Sequence, residues 1–431
     1  MHESPQTSSI PGQRPVRARR WLAAAVAVGL ALRLAFAFGY WVGKPLTLDE
    51  REYLILAQSL AEGRGLTYPP SEGMERHFER PPAYPLFVAG VLLAGGEIAG
   101  AHLARGVPAS LKIAQSLVGA AIVWLIGLLA WRAAGPAAAA IAACLAAVYP
   151  PLVWIGAYAL SETLYAAIAL TAVWLLGRTI DRAGPAPGWP AALAGAVAGV
   201  GVLTKEAMVF FLIVSVAWLV ARRRFAVASL LLVGAIVVLA PWVARNARVH
   251  GQFVLGAPHG GVTFWTGNNP AARGEGDMAA NPDIRRAQLA LEAAHPGASV
   301  QQLDSIYYRE ALRFITSDPL RWLGLEVRKA FFAVVPIGPS YRLHSRLYFL
   351  GSLVPYAVLL PFAVAGVLRL VRRRDQPRAL WLLACSAFLV VLVFFPQERF
   401  RIPVIDPALI VCAAAWWALR LPGLAAAEAA R

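Results

Sequence analysis

The chain has 431 residues, of which 58% are hydrophobic and only 15% charged. A soluble domain is usually about half apolar and a quarter charged, and here the apolar residues form long runs, so an ordinary soluble protein is excluded. The net charge of +16 does not indicate nucleic-acid binding, because the arginines form short clusters between the apolar runs, where they act as topology signals.

The N-terminal segment 1–20 is polar and contains Pro, Ser and Arg, which predicts a disordered cytosolic tail. Residues 21–42 form an apolar run longer than the core of a secretory signal peptide, so they predict an uncleaved signal anchor. Arg33 lies inside this run. A charge at this depth is costly and usually faces protein or a water-filled cavity, so we expect Arg33 to have a buried partner near the active cavity.

Ten apolar runs predict membrane-spanning helices and an all-α, polytopic helical bundle. One further run, 82–96, is only about fifteen residues long, which is short for a span. We therefore predict an interfacial or re-entrant helix there; if it crosses, the count becomes eleven. The ten runs are 21–43, 110–131, 136–156, 161–178, 189–204, 206–221, 225–244, 347–371, 379–396 and 402–420.

The charges between the runs support this choice. With a cytosolic N-terminus and a non-crossing segment 82–96, the arginine-rich turns all face the cytosol, as the positive-inside rule requires. If 82–96 crossed, every later loop would change sides. The cytosolic turns contain Arg132, Arg178, Arg182, Arg222–Arg224, Arg369, Arg372–Arg374 and Arg378, and the short outer connections contain Ser161-Glu162, Lys205-Glu206 and Gln397-Glu398-Arg399.

Two long segments, 44–109 and 246–346, are predicted to lie outside the membrane as large extracytoplasmic loops. The second contains amphipathic stretches near 284–295 and 300–316. The predicted organisation is a cytosolic tail 1–20, an N-terminal transmembrane module 21–245 with the outer loop 44–109, an extracytoplasmic region 246–346, C-terminal transmembrane helices 347–420, and a cytosolic tail 421–431.

The sequence Thr47-Leu48-Asp49-Glu50 has a capping-box pattern, since Thr47 is followed three residues later by Glu50. It predicts a short helix that begins just outside the first span and ends at Gly63 and Gly65. One of its first-turn carboxylates could point into a cavity at the membrane surface and act as a general base. Alternatively, both acids only complement the helix dipole.

The segment His77-Phe78-Glu79-Arg80-Pro81-Pro82 opens the short helix on the same outer face. Arg80 could bind a phosphate bidentately at headgroup level. His77 and Glu79 could instead belong to a metal site, although two residues are a weak metal signal. The alternative is an ordinary solvated loop.

Three further outer positions carry charge. Glu162 begins the fourth span and could lie near Asp49, although a first-turn acid is also common at a helix start. Lys205-Glu206 forms the outer turn between spans five and six, where a local ion pair is the alternative. Arg399 and Arg401 precede the last span and either bind a lipid phosphate or anchor the helix. Acids and arginines from five segments thus lie on one face, an arrangement that suits a phosphate-bearing lipid.

The ordered set of motifs resembles bacterial GT-C glycosyltransferases, and most closely the branch of dolichyl-phosphate-mannose protein mannosyltransferases and of the aminoarabinose transferases of lipid A. The resemblance runs from about residue 21 to 420. Its motifs are Leu48-Asp49-Glu50 with Tyr53, Arg80-Pro81-Pro82-x-Tyr84-Pro85-Leu86, Tyr158-x-Leu160-Ser161-Glu162-Thr163-Leu164, Leu203-Thr204-Lys205-Glu206, Pro241-Trp242-x-x-Arg245-Asn246, Trp265-x-Gly267-Asn268-Asn269-Pro270 and Glu398-Arg399-Phe400-Arg401-x-Pro403.

The resemblance implies an enzyme of the bacterial inner membrane that moves a sugar from a polyprenyl-phosphate donor to an acceptor outside the cytoplasm. It implies Asp49 as general base, completed by Glu50, and Glu162 as the second outer-loop acid. Arg80 stands where the aminoarabinose branch has a phosphate-binding lysine. That branch also has an arginine where this chain has Glu52, which argues against an aminoarabinose donor.

The same motifs make Arg245 and Asn268 additional candidate site residues. His259, in the late outer loop, and Glu79 are the candidate metal ligands, so no cofactor is assigned and a divalent metal ion is left open. The predicted reaction inverts the anomeric carbon, and the acceptor is a lipid, a glycan or a protein. The competing functions are a transporter or flippase of lipid-linked sugars and a glycan polymerase or ligase.

Overall fold

The computed structural model describes residues 13–68, 80–97, 106–181, 188–250, 254–256, 260–275, 280–338, 345–373 and 376–420. Within these residues every regular element is a helix, which confirms the all-α prediction. In chain order the helices are α1 Gln13–Ala35, continued by a π-helical turn Phe36–Tyr40, α2 Leu48–Ala61, α3 Ala83–Gly95, α4 Ala109–Val148, α5 Pro150–Trp154, α6 Glu162–Ile180, α7 Trp189–Thr204, α8 Met208–Ala221, α9 Phe225–His250, α10 Gly260–Gly267, α11 Pro282–Ala293, α12 Val300–Ser317, α13 Pro319–Val334, α14 Arg346–Leu370, α15 Arg378–Val393, α16 Glu398–Arg401 and α17 Ile405–Ala418.

The forty-residue helix α4 is two helices joined by a sharp reversal. Ala134 and Gly135 have non-helical backbone angles, Gly135 with φ +84°, and Pro136 follows. A Cβ at Gly127 would contact Ala139 and Ala143, although a straight helix would hold Gly127 and Ala143 about 24 Å apart. The two halves, 109–133 and 136–148, are therefore antiparallel neighbours, as the separate runs 110–131 and 136–156 predict.

The ends of the first helices partly differ from expectation. Helix α1 begins at Gln13, so residues 13–20 are helical and the prediction of a disordered tail is wrong for them; the Arg and Ala residues there have high helix propensity. Residues 1–12 lie outside the described part. Helix α2 begins with the predicted capping box between Thr47 and Glu50 and is followed by Gly63 at φ +76°.

Five helices of the described residues are long and apolar enough to cross a membrane: α1 with its π-helical turn, α4, α6, α9 and α14. Helices α7, α8, α15 and α17 are apolar but shorter. On α9 the large apolar side chains of Val233, Ile236 and Val237 are each more than half exposed, which a surface in contact with lipid explains. The chain is a multi-pass membrane protein, as predicted.

Helix α3 has 13 residues and is therefore about 20 Å long, less than the roughly 30 Å apolar core of a bilayer. Its buried face, which includes Tyr84, Val88 and Leu92, packs against Tyr53 and Leu54 of α2. The non-crossing position of this segment stays a prediction. What the packing establishes is that α2 and α3 form one unit.

The segment after α9, predicted to lie outside the membrane, also folds into helices. Helices α11 and α12 confirm the two amphipathic stretches, and they pack with α10 around Trp265, Ile284, Tyr307 and Ala311. Helix α13 follows and packs against α15. These helices therefore lie beside the end of α15, next to the cavity described below.

Helices α7 and α9 cross at close range through glycine. A Cβ at Gly234 of α9 would overlap the carbonyl oxygen of Ala192, and one at Gly195 would overlap that of Leu231. Small residues permit such close approach of membrane helices. We expect Gly234→Ala to destabilise the protein by about 1–3 kcal/mol, because the two backbones must separate. Thermal unfolding in detergent measures this.

The matched control is Gly90→Ala in α3, where an added Cβ meets nothing within 4 Å. It should leave the midpoint of thermal unfolding unchanged or raise it slightly, because alanine has a higher helix propensity than glycine. Equal midpoints for Gly234→Ala and the unaltered protein would contradict the close crossing.

Candidate active site

A cavity of about 360 Å³ opens where α2, α6, α8, α15 and α16 meet. One end of it is charged and the other is apolar. The charged end is lined by Asp49, Arg80, Glu162, Lys205, Glu206 and Arg399, and the apolar end by Tyr165, Phe210, Val390, Phe394, Phe395 and Val404, among others. The structure thus brings together six of the predicted site residues.

Asp49 lies at the centre of the charged end. Its Oδ1 accepts a hydrogen bond from Arg80 Nη2 at 2.5 Å, and its Oδ2 accepts one from Arg399 Nη1. Burial would raise the pKa of the Asp49 carboxyl, but the guanidinium groups of Arg399 and Arg80 outweigh it and hold the pKa well below its usual value. Asp49 is therefore a carboxylate held by two cations.

Arg80 is held on both sides by α2. Besides Asp49, it donates from Nε to Glu52 Oε2 at 2.7 Å, and its guanidinium lies 5.3 Å from the centre of the Tyr53 ring. Asp49 and Glu52 are three residues apart and therefore on one helix face. The periodicity of helix α2 thus places two carboxylates where both can accept hydrogen bonds from Arg80.

Glu162 and Lys205 extend the network on the far side. Lys205 Nζ donates to Glu162 Oε1 at 2.7 Å, and Arg399 Nε lies 4.0 Å from the same oxygen. Glu162 is 2% exposed, and within the described residues its Oε2 has no hydrogen-bond partner. Lys205 also lies over the Phe400 ring at 4.7 Å. Three acids and three cations thus alternate: Glu52, Arg80, Asp49, Arg399, Glu162 and Lys205.

Glu50 points away from this network, because successive helical residues are about 100° apart around the axis. Its Oε2 accepts from Thr47 N at 2.8 Å and Oγ1 at 2.9 Å, and its Oε1 accepts from Ala159 N at 2.9 Å. Burial raises the pKa of the Glu50 carboxyl, and the hydrogen bonds of Thr47 and Ala159 offset this only in part. Glu50 caps α2 and fixes the segment that precedes Glu162.

We expect Glu50→Ala to lower the free energy of unfolding by about 1–3 kcal/mol, because it removes the capping box and leaves the buried Ala159 N–H without an acceptor. Glu50→Gln keeps one acceptor oxygen and should lose less. Thermal unfolding compares both with Glu62→Ala, an exposed acid at the other end of α2. If Glu50→Ala unfolds at the midpoint of Glu62→Ala, the structural role is wrong.

Arg33 and Arg401 are both 2% exposed and lie outside the cavity. Arg33 has the expected buried partners, but they are the carbonyl oxygens of Gly29 at 2.9 Å and of Ala146 and Ala147 at 3.5 Å, near the end of α4. Arg401 pairs with Asp406 at 2.9 Å and donates to Ser352 Oγ at 2.7 Å. It therefore anchors α16 to α14 and α17.

The other candidates are also placed apart from the cavity. Arg245 donates to Asn246 Oδ1 at 3.1 Å and lies over Trp242. Asn268 accepts from Lys329 Nζ at 3.0 Å and donates to the carbonyl of Val393 at 2.9 Å, so it joins the outer helices to α15. His259 and Glu79, the candidate metal pair, lie outside the described residues, as does His77.

Two features of the site were not assigned by sequence. In the sequence Glu52 stands out only because the aminoarabinose branch has an arginine at its position. Its spacing of three residues from Asp49 could have placed it on the same helix face. The apolar end, which includes Phe210 of α8 and Val390 of α15, has no local signal, because its residues resemble any others of a membrane helix. Only packing gathers them.

The helices define the class of the chain: a polytopic membrane protein built as a helical bundle. Residues 98–244, about a third of the chain, match the family model of dolichyl-phosphate-mannose-protein mannosyltransferases. Over these residues the match agrees with the family resemblance drawn from the ordered motifs. It contains Glu162 and Lys205 but begins after Asp49 and Arg80. A comparison with curated proteins finds no match.

Solved structures of an archaeal oligosaccharyltransferase show the same fold. Archaeal oligosaccharyltransferase AglB from Archaeoglobus fulgidus, in complex with an inhibitory peptide and a dolichol-phosphate, has a TM-score of 0.56 at 14% identity over 96% of this chain and 52% of that one. An oligosaccharyltransferase from the same organism, with Zn and sulfate, has a TM-score of 0.53 at 16% identity over 93% and 48%. ArnT from Cupriavidus metallidurans, bound to undecaprenyl phosphate, has a TM-score of 0.43 at 17% identity over 90% and 78%. This chain spans about half the length of the archaeal proteins.

Proposed function

We propose that this protein is an inverting glycosyltransferase that moves a sugar from a polyprenyl-phosphate-linked donor to an acceptor hydroxyl on the extracytoplasmic side of the membrane. The observation that carries the proposal is the two-ended cavity. Its charged end offers cations to a phosphate and a carboxylate to a hydroxyl, and its apolar end lies between membrane helices.

The donor's two chemical halves fit the two ends. The phosphate would bind between Arg80 and Arg399, whose guanidinium groups form the strong, directional hydrogen bonds that phosphate oxygens accept. The isoprenoid chain would extend along the apolar wall, past Tyr165, Phe210 and Phe394. Burial of that chain supplies the hydrophobic part of the binding energy.

The transfer step follows from these positions. Asp49 takes the proton of the acceptor hydroxyl while that oxygen forms a bond to the anomeric carbon. The bond from the anomeric carbon to the phosphate oxygen breaks on the opposite side, so the configuration inverts and polyprenyl phosphate leaves. Arg80 and Arg399 stabilise the negative charge that develops on the leaving phosphate.

The described residues near Asp49 indicate which groups can supply positive charge to the phosphate. Within the described residues no group of three or more His, Cys, Asp or Glu side chains is placed to hold a metal ion. Both oxygens of Asp49 accept hydrogen bonds from arginine. In the proposed mechanism the two guanidinium groups supply the positive charge that these residues offer to the phosphate.

The sidedness rests on the two ends of the spanning helices. Helix α6 begins with Glu162 at the cavity and has Arg178 in its last turn. Helix α8 begins next to Lys205 and Glu206 and is followed by Arg222, Arg223 and Arg224. The cavity is thus opposite the arginine-rich turns. By the positive-inside rule those turns face the cytosol, which favours an extracytoplasmic active site in the bacterial inner membrane.

The proposal is tested with the full chain in liposomes and a panel of sugars linked to undecaprenyl phosphate, each labelled in the sugar. Release of undecaprenyl phosphate together with a labelled acceptor is the expected result. Mass spectrometry of envelope glycans in a deletion strain then identifies the acceptor. Movement of an intact lipid-linked sugar across the bilayer without cleavage would instead support a flippase.

A further inference from the structure

The two cations proposed to bind the donor phosphate are both occupied by Asp49. One carboxylate oxygen accepts from Arg80 and the other from Arg399. A carboxylate has the same sign of charge as a phosphate and, like a phosphate, accepts strong hydrogen bonds from guanidinium groups. Asp49 therefore stands where the donor's phosphate oxygens would make their strongest contacts.

Each of the three cations in the described charged cluster already lies next to at least one carboxylate. Arg80 is shared between Asp49 and Glu52, Lys205 donates to Glu162, and Arg399 lies near Glu162 as well as Asp49. Glu52, Asp49 and Glu162 thus match these three cations, and Glu206 adds a further acid at the charged end. An added phosphate would therefore compete with these carboxylates for the N–H groups of the arginines.

The Asp49 pairs are partly open to water. The side chains of Asp49, Arg80 and Arg399 are 22%, 25% and 36% exposed, so water screens these ion pairs in part and can solvate their ends when they separate. The neighbouring Arg401–Asp406 pair is different, since both side chains are 2% exposed or less, and breaking a buried pair leaves an uncompensated buried charge. Arg401 thus holds α16 in place while Arg399, two residues earlier, can change partner.

We propose that the donor phosphate and Asp49 compete for Arg80 and Arg399, so that the catalytic carboxylate is masked in the free enzyme and released when the donor binds. This inference rests on the proposed function. Its consequence is an ordered reaction: Asp49 becomes an effective base only when the leaving phosphate is already in place. In the free enzyme the two arginines hold the pKa of Asp49 low and so depress its basicity.

The test measures binding of undecaprenyl phosphate to the full chain in nanodiscs and does not require turnover. Competition predicts that Asp49→Asn, which keeps the shape but removes the charge, binds undecaprenyl phosphate more tightly by about tenfold, equivalent to about 1.4 kcal/mol. Arg80→Ala and Arg399→Ala should bind it more weakly. Glu62→Gln, an exposed acid at the end of the same helix, should bind as the unaltered protein does.

The outcomes separate the two proposals. If the arginine variants lose affinity while Asp49→Asn binds equally or more weakly than the unaltered protein, the competition is wrong and the phosphate site stands. If the arginine variants keep full affinity, the phosphate site itself is wrong. Asp49→Ser removes the same charge, and the same tightening is expected of it if Asp49→Asn does not fold.

Discussion

Asp49→Asn is expected to lower the rate of sugar transfer by about 10²–10⁴-fold, the usual contribution of a general base. The loss should appear in kcat and not as a raised KM, because asparagine cannot take the acceptor proton but leaves both arginines available to the donor. The measurement is transfer of labelled sugar from the donor lipid by the protein in liposomes. Glu62→Gln is the matched control and should keep full activity.

Stability must be followed in the same experiment, since Asp49 joins α2 to α16 through Arg399. Thermal unfolding distinguishes a folded, inactive variant from a damaged one. A folded Asp49→Asn variant with undiminished kcat would remove Asp49 from the proposed mechanism.

Arg399→Ala is expected to lower kcat/KM by about 10²–10³-fold. A preorganised hydrogen-bonding group that faces developing negative charge commonly contributes this much to the rate. The loss should affect kcat as well as donor affinity, since the charge on the phosphate grows as the bond to the sugar breaks. Arg399→Lys keeps the charge but not the planar fork, and it should recover only part of the activity.

The matched control for Arg399 is Arg309→Ala, an exposed arginine of α12. It should leave kcat and KM unchanged, because it lies outside the cavity. Full activity of Arg399→Ala would assign the phosphate to other cations and would overturn the proposed role of Arg399 in binding it.

The predicted site was partly accessible from sequence. Thr47 and Glu50 predicted the start of α2, and the capping box is present because it depends only on residues three apart. The same local pattern could not separate the tasks of Asp49 and Glu50. Glu50 turns toward Ala159 and Asp49 toward Arg399, a division set by the neighbours of α2 and not by its own residues.

Arg33 illustrates the same limit. Its depth in an apolar run correctly indicates a buried partner, because an unpartnered charge at that depth is too costly. The partner itself could not be predicted, since it is the backbone of α4 more than a hundred residues later. Arg33 was expected near the active cavity but lies outside it, and Arg80 and Arg399 line the cavity instead.

The sequence by itself determined that the protein is a helical membrane bundle with charged residues opposite its arginine-rich turns. Both follow from local sequence, because the length of an apolar run decides whether it can cross a bilayer and the basic residues beside it indicate which side faces the cytosol. Only the tertiary structure decided that Asp49 meets Arg399, 350 residues away along the chain, and that Phe210 and Val390 complete the apolar wall. Such contacts depend on how helices pack side by side, and that packing is fixed by the shapes of many side chains together.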